Sequence, residues 1–190
     1  FVRSVLLARW LPVEVFGVYA FASSIVGISV IAASFGMGGA FIHHAAETED
    51  EERTSAVHFT LKCIFVLVWA SLLITGAFLF TEGQIRLALV WLTLTTGVVQ
   101  LAQTPQLILA RRVVHRRLAL LSLVRVLFTT LAALTLAWLG MDLWALLVTD
   151  LVAMVVTITL LYVWRPVWRP RLAWSPPVAR YFLRFGSRVF

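Results

Sequence analysis

Residues 87–110 read LALVWLTLTTGVVQLAQTPQLILA and contain no formal charge. A helix needs roughly 20 mostly apolar residues to cross the hydrocarbon core of a bilayer, which is about 30 Å thick. The stretch is therefore predicted to form a transmembrane helix. Further segments are apolar over a similar length and carry at most one charge each. Together they give five predicted spans, near residues 15–36, 57–80, 87–110, 118–139 and 143–163.

The composition of the whole chain agrees with a membrane protein. Of its 190 residues, 61% are hydrophobic and 13% are charged, whereas soluble domains carry about 25% charged residues. The mean hydropathy is +0.94. The net charge of +7 would suit a nucleic-acid partner only on a water-soluble fold, and too little polar surface remains to build a basic face. We therefore predict an all-α, polytopic transmembrane helical bundle that binds no nucleic acid.

The two ends of the chain extend this bundle. Residues 1–11, FVRSVLLARWL, are apolar but too short to cross a bilayer, and we predict that they are the end of an earlier helix. The predicted transmembrane bundle covers residues 1–163, and a basic cytoplasmic linker follows at 164–186. Residues 187–190 are predicted to begin a further helix. We expect the chain to be a fragment of a longer protein, cut inside its first helix.

The connections between the spans fall into two alternating sets. One set holds ten arginines and comprises residues 43–56, 111–117 and 164–186. The other set holds no lysine or arginine and comprises residues 11–15, 81–84 and 140–142. Lysine and arginine in short loops favour the cytoplasmic side of a membrane. The set that contains arginine is therefore predicted to be cytoplasmic.

The densest run of charge is RRVVHRR, at residues 111–117, between two predicted spans. Arginines beside a span attract the anionic headgroups of the cytoplasmic leaflet. We interpret the run first as a topology signal that contacts membrane lipids. The alternative is a cytoplasmic basic entrance, at which the same side chains contact a substrate phosphate. Its residues are Arg111, Arg112, Arg116 and Arg117.

An acidic stretch, ETEDEER at residues 47–53, precedes the predicted span at 57–80. Acidic side chains are favourable in the first turn of a helix, so the stretch predicts an exposed helical prefix to that span. With His43 and His44 it also offers carboxylates and imidazoles to a metal ion. Adjacent histidines point to different faces of a helix, however, and no cysteine or third histidine is near. We therefore predict no metal site, no cofactor and no catalytic group.

Polar residues inside a span are costly, and their positions are therefore informative. In the span at 87–110 several of them lie on one face of a helix, and Pro105 is expected to kink or break that helix because it lacks a backbone donor. Similar stripes follow in the spans at 118–139 and 143–163. The candidates for a substrate pathway are Thr96, Gln100, Gln103, Ser122, Arg125, Thr129 and Asp150.

Two interpretations of these stripes remain open. Serine, threonine and glutamine can simply hydrogen-bond one helix to another, and we favour this interpretation for the uncharged residues. A charge at depth usually faces a cavity or a partner, which makes Arg125 and Asp150 the foremost pathway candidates. On antiparallel helices these two differ in depth by about 10 Å, so a tight salt bridge between them is not the default. Lys62 and Arg86 lie near enough to span ends to extend toward water.

Several motifs carry a resemblance to a known family, in the right order and over nearly the whole chain. They are LARWLPVEVFGVYA (7–20), the glycine-rich turn GMGG (36–39), RRVVHRRLALLSL (111–123), LGMDLWALLVTDLVA (139–153) and WRPRLAWSPPVARYFLRFG (168–186). With these motifs the chain resembles bacterial polysaccharide and O-antigen flippases of the multidrug/oligosaccharidyl-lipid/polysaccharide exporter superfamily. Where that family often has an acidic residue early in its fifth helix, this sequence has Arg125.

The resemblance implies a two-lobe transporter in the bacterial inner membrane, of which this chain is the N-terminal lobe and lacks the C-terminal one. Such proteins flip undecaprenyl-diphosphate-linked oligosaccharide from the cytoplasmic to the outer leaflet by alternating access. The implied partners are the lipid-linked oligosaccharide, membrane lipids and a coupling ion, either a proton or sodium. The resemblance implies a transporter and not an enzyme.

Three alternatives stay open at this point. A membrane-bound transferase that uses a polyprenyl-phosphate sugar donor would need a carboxylate or histidine cluster, for which only residues 43–52 are available. A drug or peptidoglycan-precursor exporter of the same superfamily is a second alternative. The third is a membrane scaffold without transport activity, which would leave Arg125 and Asp150 unexplained.

Overall fold

The computed structural model describes residue 7 and residues 9–43, 51–164 and 166–189. Within these residues the chain is helical and contains no strand. A π-helical turn, Thr159–Val163, continues one of the helices. The α-helices are α1 (Val13–Ser34), α2 (Met37–His43), α3 (Glu51–Phe80), α4 (Gly83–Leu101), α5 (Gln103–Arg111), α6 (His115–Trp138), α7 (Asp142–Ile158) and α8 (Pro176–Val189).

Five helical segments are long and apolar enough to cross a membrane. They are Val13–Ser34, Glu51–Phe80, Gly83–Arg111, His115–Trp138 and Asp142–Val163. Each corresponds to one predicted span, so the all-α polytopic bundle with five full spans is confirmed. Residues 1–6, which hold most of the predicted truncated helix, lie outside the described part of the chain.

Helix α4 is at the centre of the bundle. It packs against α1, α3 and α7, while α6 packs chiefly against α7. Ala88 on α4 and Ala145 on α7 are fully buried. Side chains of this size let helix backbones approach closely, as they do where helices associate in lipid. Large apolar side chains such as Leu72 and Leu131 are exposed on the outer surface, where a bilayer would cover them.

The glycine-rich motif at 36–39 forms the predicted turn. Helix α1 ends at Ser34, and Phe35 and Gly36 follow with φ angles of 41° and 61°. A residue in the left-handed region commonly ends an α-helix because its N–H bonds back to the last turn. The Phe35 N–H does so, with the Ile31 carbonyl as acceptor at 3.2 Å. The span therefore ends at residue 34 and not at 36.

Pro105 breaks the central span, as predicted. Helix α4 ends at Leu101 and α5 begins at Gln103. In an unbroken helix the carbonyl of Leu101 would accept from the N–H of residue 105, which a proline lacks. Tyr162 supplies the missing donor, since its hydroxyl donates to the Leu101 carbonyl at 3.0 Å. The break is therefore satisfied by a side chain from a different span.

Tyr162 reaches this position from the π-helical turn that continues α7. The Trp164 N–H bonds to the Thr159 carbonyl, five residues back, at 2.8 Å. Leu161 in the same turn is buried and packs with Ala102 at the break. Turns of this kind frequently occur at functional sites. The amino-acid sequence does not predict this turn.

The predicted boundary between linker and final helix is wrong. Helix α8 begins at Pro176, whereas we predicted a linker to residue 186 and a helix start at 187. The linker was predicted from the arginines of residues 164–186, but Pro176 and Pro177 are tolerated in the first turn of a helix. Apolar residues every three or four positions then give α8 a buried face that packs on α2 and α3; they are Val178, Ala179 and Phe182.

Gly186 lies where α8 crosses the turn that ends α1. A Cβ atom at this position would lie 2.3 Å from the Phe35 carbonyl oxygen and 2.5 Å from the Phe35 ring. Both distances are far shorter than van der Waals contact, so only glycine allows α8 to dock in this position.

The helical prefix before the span at 57–80 is present but is only partly exposed. Helix α3 is continuous from Glu51, and Glu52 and Arg53 are exposed as predicted. From Thr54 onward the side chains on the inner face are buried against other helices. The rest of the acidic stretch, residues 47–50, lies outside the described residues.

The connections that contain arginine meet at one end of the bundle. Arg112 pairs with Glu51 at 3.1 Å, and Arg171 pairs with Glu52. We call this the basic end; within the described chain it comprises residues 51–55, 111–117, 164 and 166–171. The turns at 11–13, 80–84 and 139–142 form the opposite end.

Candidate functional site

A small cleft opens beside Arg125. It has a volume of about 100 Å³ and lies between α5, α6 and the end of α7 with its π-helical turn. Ser122 and Arg125 are three residues apart on α6, so they share one helix face. Thr157 approaches from α7. The described residues that line this Arg125 cleft are Gln106, Leu118, Leu121, Ser122, Arg125, Thr157, Leu160 and Leu161.

The cleft combines one positive charge with uncharged polar groups and an apolar wall. Of the described residues that line it, Arg125 is the charged one. It belongs to neither of the ion pairs found within the described part of the chain. The Thr157 hydroxyl donates to the Ala153 carbonyl at 2.7 Å, which leaves its oxygen free to accept. A guanidinium beside amide and hydroxyl groups is suited to bind an anion.

Sequence reasoning did not include Gln106 in this site. The residue follows the break at Ala102, so the periodicity of α4 does not predict which face of α5 it occupies. Pro105, which precedes Gln106, was the signal in the sequence that this residue could line a cavity, since a broken helix inside a membrane must face protein or a cavity.

Asp150 lies elsewhere in the bundle. Its carboxylate accepts a hydrogen bond from the Tyr19 hydroxyl at 2.8 Å, which joins α7 to α1. The two ion pairs of the described residues do not join it to Arg125. The structure therefore separates the two charged pathway candidates, in agreement with the difference in depth between them.

The polar stripe on the central span is divided by the break at Ala102. Gln100 is buried, with its Oε1 unpartnered within the described residues, and Thr96 is half-buried. Gln103, beyond the break, lines an open groove of about 380 Å³ together with Gln106. Gln103 is thus close to the Arg125 cleft, whereas Thr96 and Gln100 belong to the interior of the bundle.

Thr129 does not line the Arg125 cleft. It is buried, and its hydroxyl donates to the Arg125 carbonyl at 2.9 Å, within its own helix. Threonine commonly makes this bond to the preceding turn. Its role in the structure is therefore local.

The arginines at 111–117 occupy different environments. Arg112 pairs with Glu51, and the Arg111 guanidinium lies 5.9 Å from the centroid of the Phe41 ring, a cation–π distance. Arg116 is exposed and Arg117 is half-buried in the first turn of α6. Only part of the run is therefore open to lipid headgroups.

Two buried polar residues on α3 were not predicted as site residues. His58 shares a hydrogen bond of 3.0 Å between its Nδ1 and the Thr104 hydroxyl. Lys62, one turn later, donates from Nζ to the Ser34 hydroxyl at 3.5 Å. The expectation that Lys62 extends toward water is wrong, because it is 1% exposed and faces α1. The i, i+4 spacing of the two residues was the signal for a shared inward face.

Within the described residues, no group of three His, Cys, Asp or Glu side chains could hold a metal ion. The metal alternative of the sequence analysis rests on His44 and the acids that follow it. Residues 44–50 lie outside the described part of the chain.

The fold and the cleft define a multi-pass membrane protein with a cationic site between its helices. The family described as Polysaccharide biosynthesis protein matches residues 6–190. The chain belongs to this family, which confirms the resemblance found in the sequence. No match to this chain was found among curated proteins or among solved structures.

Proposed function

We propose that this protein is a transporter that flips undecaprenyl-diphosphate-linked oligosaccharide from the cytoplasmic to the outer leaflet of the bacterial inner membrane. The chain contributes one lobe, and a second lobe completes the cavity that alternates between the two sides. Membership of a polysaccharide biosynthesis family supports the substrate class, and the five apolar helices support a site inside the membrane.

The observation that carries the proposal is the Arg125 cleft. An arginine without an ion-pair partner in the described bundle is costly inside a membrane unless it faces water or an anion. Pockets that enclose a small ligand measure roughly 300–1,000 Å³, so a cleft of about 100 Å³ has room for a phosphate group and not for a sugar chain. The rest of the headgroup would occupy space shared with the second lobe.

The chemistry of this step is binding and shielding. The Arg125 guanidinium pairs with diphosphate oxygens through parallel hydrogen bonds, which its planar geometry favours. Gln106 and Ser122 bond to neighbouring phosphate or sugar oxygens. The polyprenyl tail stays in the bilayer along the apolar outer surface. The arginines at 111–117 attract the headgroup to the membrane surface at the start of α6.

Coupling to a proton or sodium gradient forms the second part of the proposal. Asp150 lies within a span and is hydrogen-bonded to Tyr19 on α1. A carboxylate at this depth is a suitable group to take up either cation. Uptake there would alter the contact between α7 and α1, and so the relative position of two spans.

The test is transport of a fluorescent lipid-linked oligosaccharide by the full-length protein in vesicles. We expect Arg125→Ala to reduce flipping by at least about 100-fold, as loss of a charge–phosphate pair shielded between the two lobes would. Arg125→Lys should restore part of the activity, since it keeps the charge and loses the bidentate geometry. An Arg125→Cys variant in a Cys63→Ala background should react with a water-soluble thiol reagent.

Arg86→Ala is the matched control. Arg86 also lies on a span, but its guanidinium lies 5.5 Å from the Phe78 ring centroid near the opposite end. Its removal should leave transport within about twofold of the parent, as expected of a surface substitution. Flipping by Arg125→Ala at the parental rate, with normal folding, would refute the role of the cleft.

A further inference from the structure

A second, larger cleft lies at the basic end. It has a volume of about 400 Å³ and is formed by the start of α3, the end of α5 and the segment 166–171. It shares no lining residue with the Arg125 cleft. We call it the basic-end cleft; its polar lining residues are Glu51, Glu52, Ser55, Arg112, Trp168, Arg169 and Arg171.

Two buried side chains of this lining have polar atoms without partners. Ser55 is 0% exposed and Trp168 is 9% exposed, and neither the Ser55 Oγ nor the Trp168 Nε1 has a hydrogen-bond partner within the described residues. Buried polar groups are nearly always satisfied in folded proteins. Both residues line the basic-end cleft, so a small movement of their side chains would let an acceptor on a ligand bound there satisfy the hydroxyl and the indole N–H.

The position of the indole is fixed by contacts with α3. Trp168 packs edge-on against Phe59, with ring centroids 5.5 Å apart. A few residues later the Ala173 N–H donates to the Thr60 hydroxyl at 3.1 Å. The segment that forms one wall of the cleft is therefore attached to α3 at two points.

The charges at the rim add to the two buried donors. Arg112 and Arg171 pair with Glu51 and Glu52, and the side chains of both pairs are between 38% and 65% exposed. Exposed pairs of this kind contribute little to stability, so a multiply charged anion can replace the carboxylates. Arg169 lines the same cleft and takes part in neither ion pair of the described residues.

We propose that the basic-end cleft binds a phosphate or diphosphate group, and that Glu51 and Glu52 block binding by occupying Arg112 and Arg171 until such an anion arrives. Phosphate oxygens accept from the Ser55 hydroxyl and the Trp168 indole N–H, and pair with the rim arginines. The carboxylates move into solvent as the anion enters. The proposal concerns the binding of an anion at the membrane surface, and this binding does not depend on transport.

Binding is measured with the whole protein in phosphatidylcholine nanodiscs, by equilibrium dialysis of radiolabelled pyrophosphate. The parent protein should bind it saturably. Ser55→Ala and Trp168→Phe should each weaken binding by about tenfold, the effect of losing one hydrogen bond to a charged group. Phenylalanine keeps the ring contact with Phe59, and the exposed Arg169→Gln substitution gives a third test that does not disturb the core.

The double variant Glu51→Gln, Glu52→Gln tests whether the two carboxylates block anion binding. It should bind pyrophosphate more tightly than the parent, because the carboxylates no longer compete for Arg112 and Arg171. Weaker or unchanged binding by this variant would show that Glu51 and Glu52 do not block anion binding.

Thr93→Val is the matched control for the donors. Thr93 on α4 also has a buried, unpartnered hydroxyl among the described residues, but it lies outside the cleft. Its substitution should leave pyrophosphate binding unchanged. The site itself is overturned if Ser55→Ala, Trp168→Phe and Arg169→Gln all bind pyrophosphate as the parent does.

A second arm identifies the source of the phosphate. Phosphatidic acid is added to the nanodiscs, and lipid retained by the protein is counted by native mass spectrometry. Retention that falls in the Ser55→Ala and Trp168→Phe variants assigns the site to a lipid headgroup. Loss of pyrophosphate binding with unchanged retention assigns it to a soluble phosphate. Neither readout requires flipping, so a failure here is distinct from a failure of the transport proposal.

Discussion

Helices α1, α4 and α7 run toward the basic end, and all three are interrupted before they reach it. The interruptions lie at Phe35–Gly36, at Ala102 and at Thr159–Val163. Helices α3 and α6 start at the basic end, and both continue without a break within the described chain. The half of the bundle next to the basic end, which we call the basic half, thus has a less regular backbone than the half next to the opposite end. The sequences of the two halves are similarly apolar.

The side chains between the helices differ in the same way. Toward the opposite end the core is chiefly apolar, with residues such as Ala88, Leu89 and Leu143, and Tyr19 and Asp150 supply a hydrogen bond between two helices there. Toward the basic end it includes aromatic rings, among them Phe41 and Phe182, and encloses the polar residues His58, Lys62 and Thr104. Hydrogen bonds between side chains from different helices therefore help to hold the basic half together.

This difference in backbone regularity indicates which part of the bundle binds a ligand. Irregular backbone is tolerated at membrane depth where it is buried in protein or lines a cavity. The Arg125 cleft meets this rule, because Leu160 and Leu161 come from the π-helical turn and Gln106 follows the break at Ala102.

The largest expected effect concerns which end of the bundle faces the cytoplasm, because a reporter fusion gives an all-or-none signal for each side of the membrane. Reporter fusions at Arg112 and Arg169 should read as cytoplasmic, and a fusion at Met141 should read as external, as the distribution of arginine predicts. A cytoplasmic signal at Met141 would reverse the assignment of the two ends.

Gly186→Ala should lower the stability of the basic half. The added Cβ would overlap the Phe35 carbonyl, and overpacking of this kind costs about 3 kcal/mol at the upper end of its usual range. We expect a lower thermal unfolding temperature and faster proteolysis near the start of α8. Gly76→Ala is the control, because nothing lies within 4 Å of a Cβ there. It should raise helix stability by about 0.5–1 kcal/mol. Equal effects would contradict the close contact at Gly186.

Thr104→Val tests the polar core of the basic half. Valine keeps the shape of threonine but leaves His58 without its partner, which should cost about 2 kcal/mol. Thr135→Val on α6 is the comparison, since its hydroxyl is exposed and bonds within its own helix. Its effect should stay within about 0.5 kcal/mol. Urea unfolding of both variants in detergent gives the two values, and a neutral Thr104→Val would show that the hydrogen bond is dispensable.

Tyr162→Phe should have the smallest effect. It leaves the Leu101 carbonyl without a donor, at a cost of about 1 kcal/mol. Pro105→Ala returns a backbone N–H to that carbonyl, so Tyr162→Phe should be nearly neutral in the Pro105→Ala background. A double-mutant cycle on the free energy of unfolding measures this coupling. Additive effects would mean that Tyr162 does not compensate for the proline.

The sequence predicted the spans because membrane insertion depends on length and apolarity, which any stretch such as residues 87–110 carries by itself. It also predicted the break near Pro105 and the shared face of Ser122 and Arg125, both of which follow from local chemistry. These features need no knowledge of neighbouring helices.

The remaining features depend on which helix faces which. Helices α1 and α3 are apolar on nearly all sides, so periodicity does not indicate the inward face, and Lys62 was predicted to extend outward. The bond from Tyr19 to Asp150 joins residues 131 positions apart, a separation that only packing brings together. The π-helical turn also depends on packing, since Leu161 contacts Ala102 at the break. The start of α8 was missed for a local reason, because the arginines at 164–186 predicted a linker.

The π-helical turn has a consequence for chain length. A π-helical turn contains one residue more than the α-helical path between the same two ends. Deletion of one residue within 159–163 would therefore convert the turn to a regular helix and would be absorbed there without a gap. Because both ends of the turn stay in place, the chain after it would leave the helix in the same direction, and Trp168 and Arg171 would keep their positions beside α3. A relative that is one residue shorter at this position would therefore keep both the bundle and the basic-end cleft, and only the side chains inside the turn would change the face on which they lie.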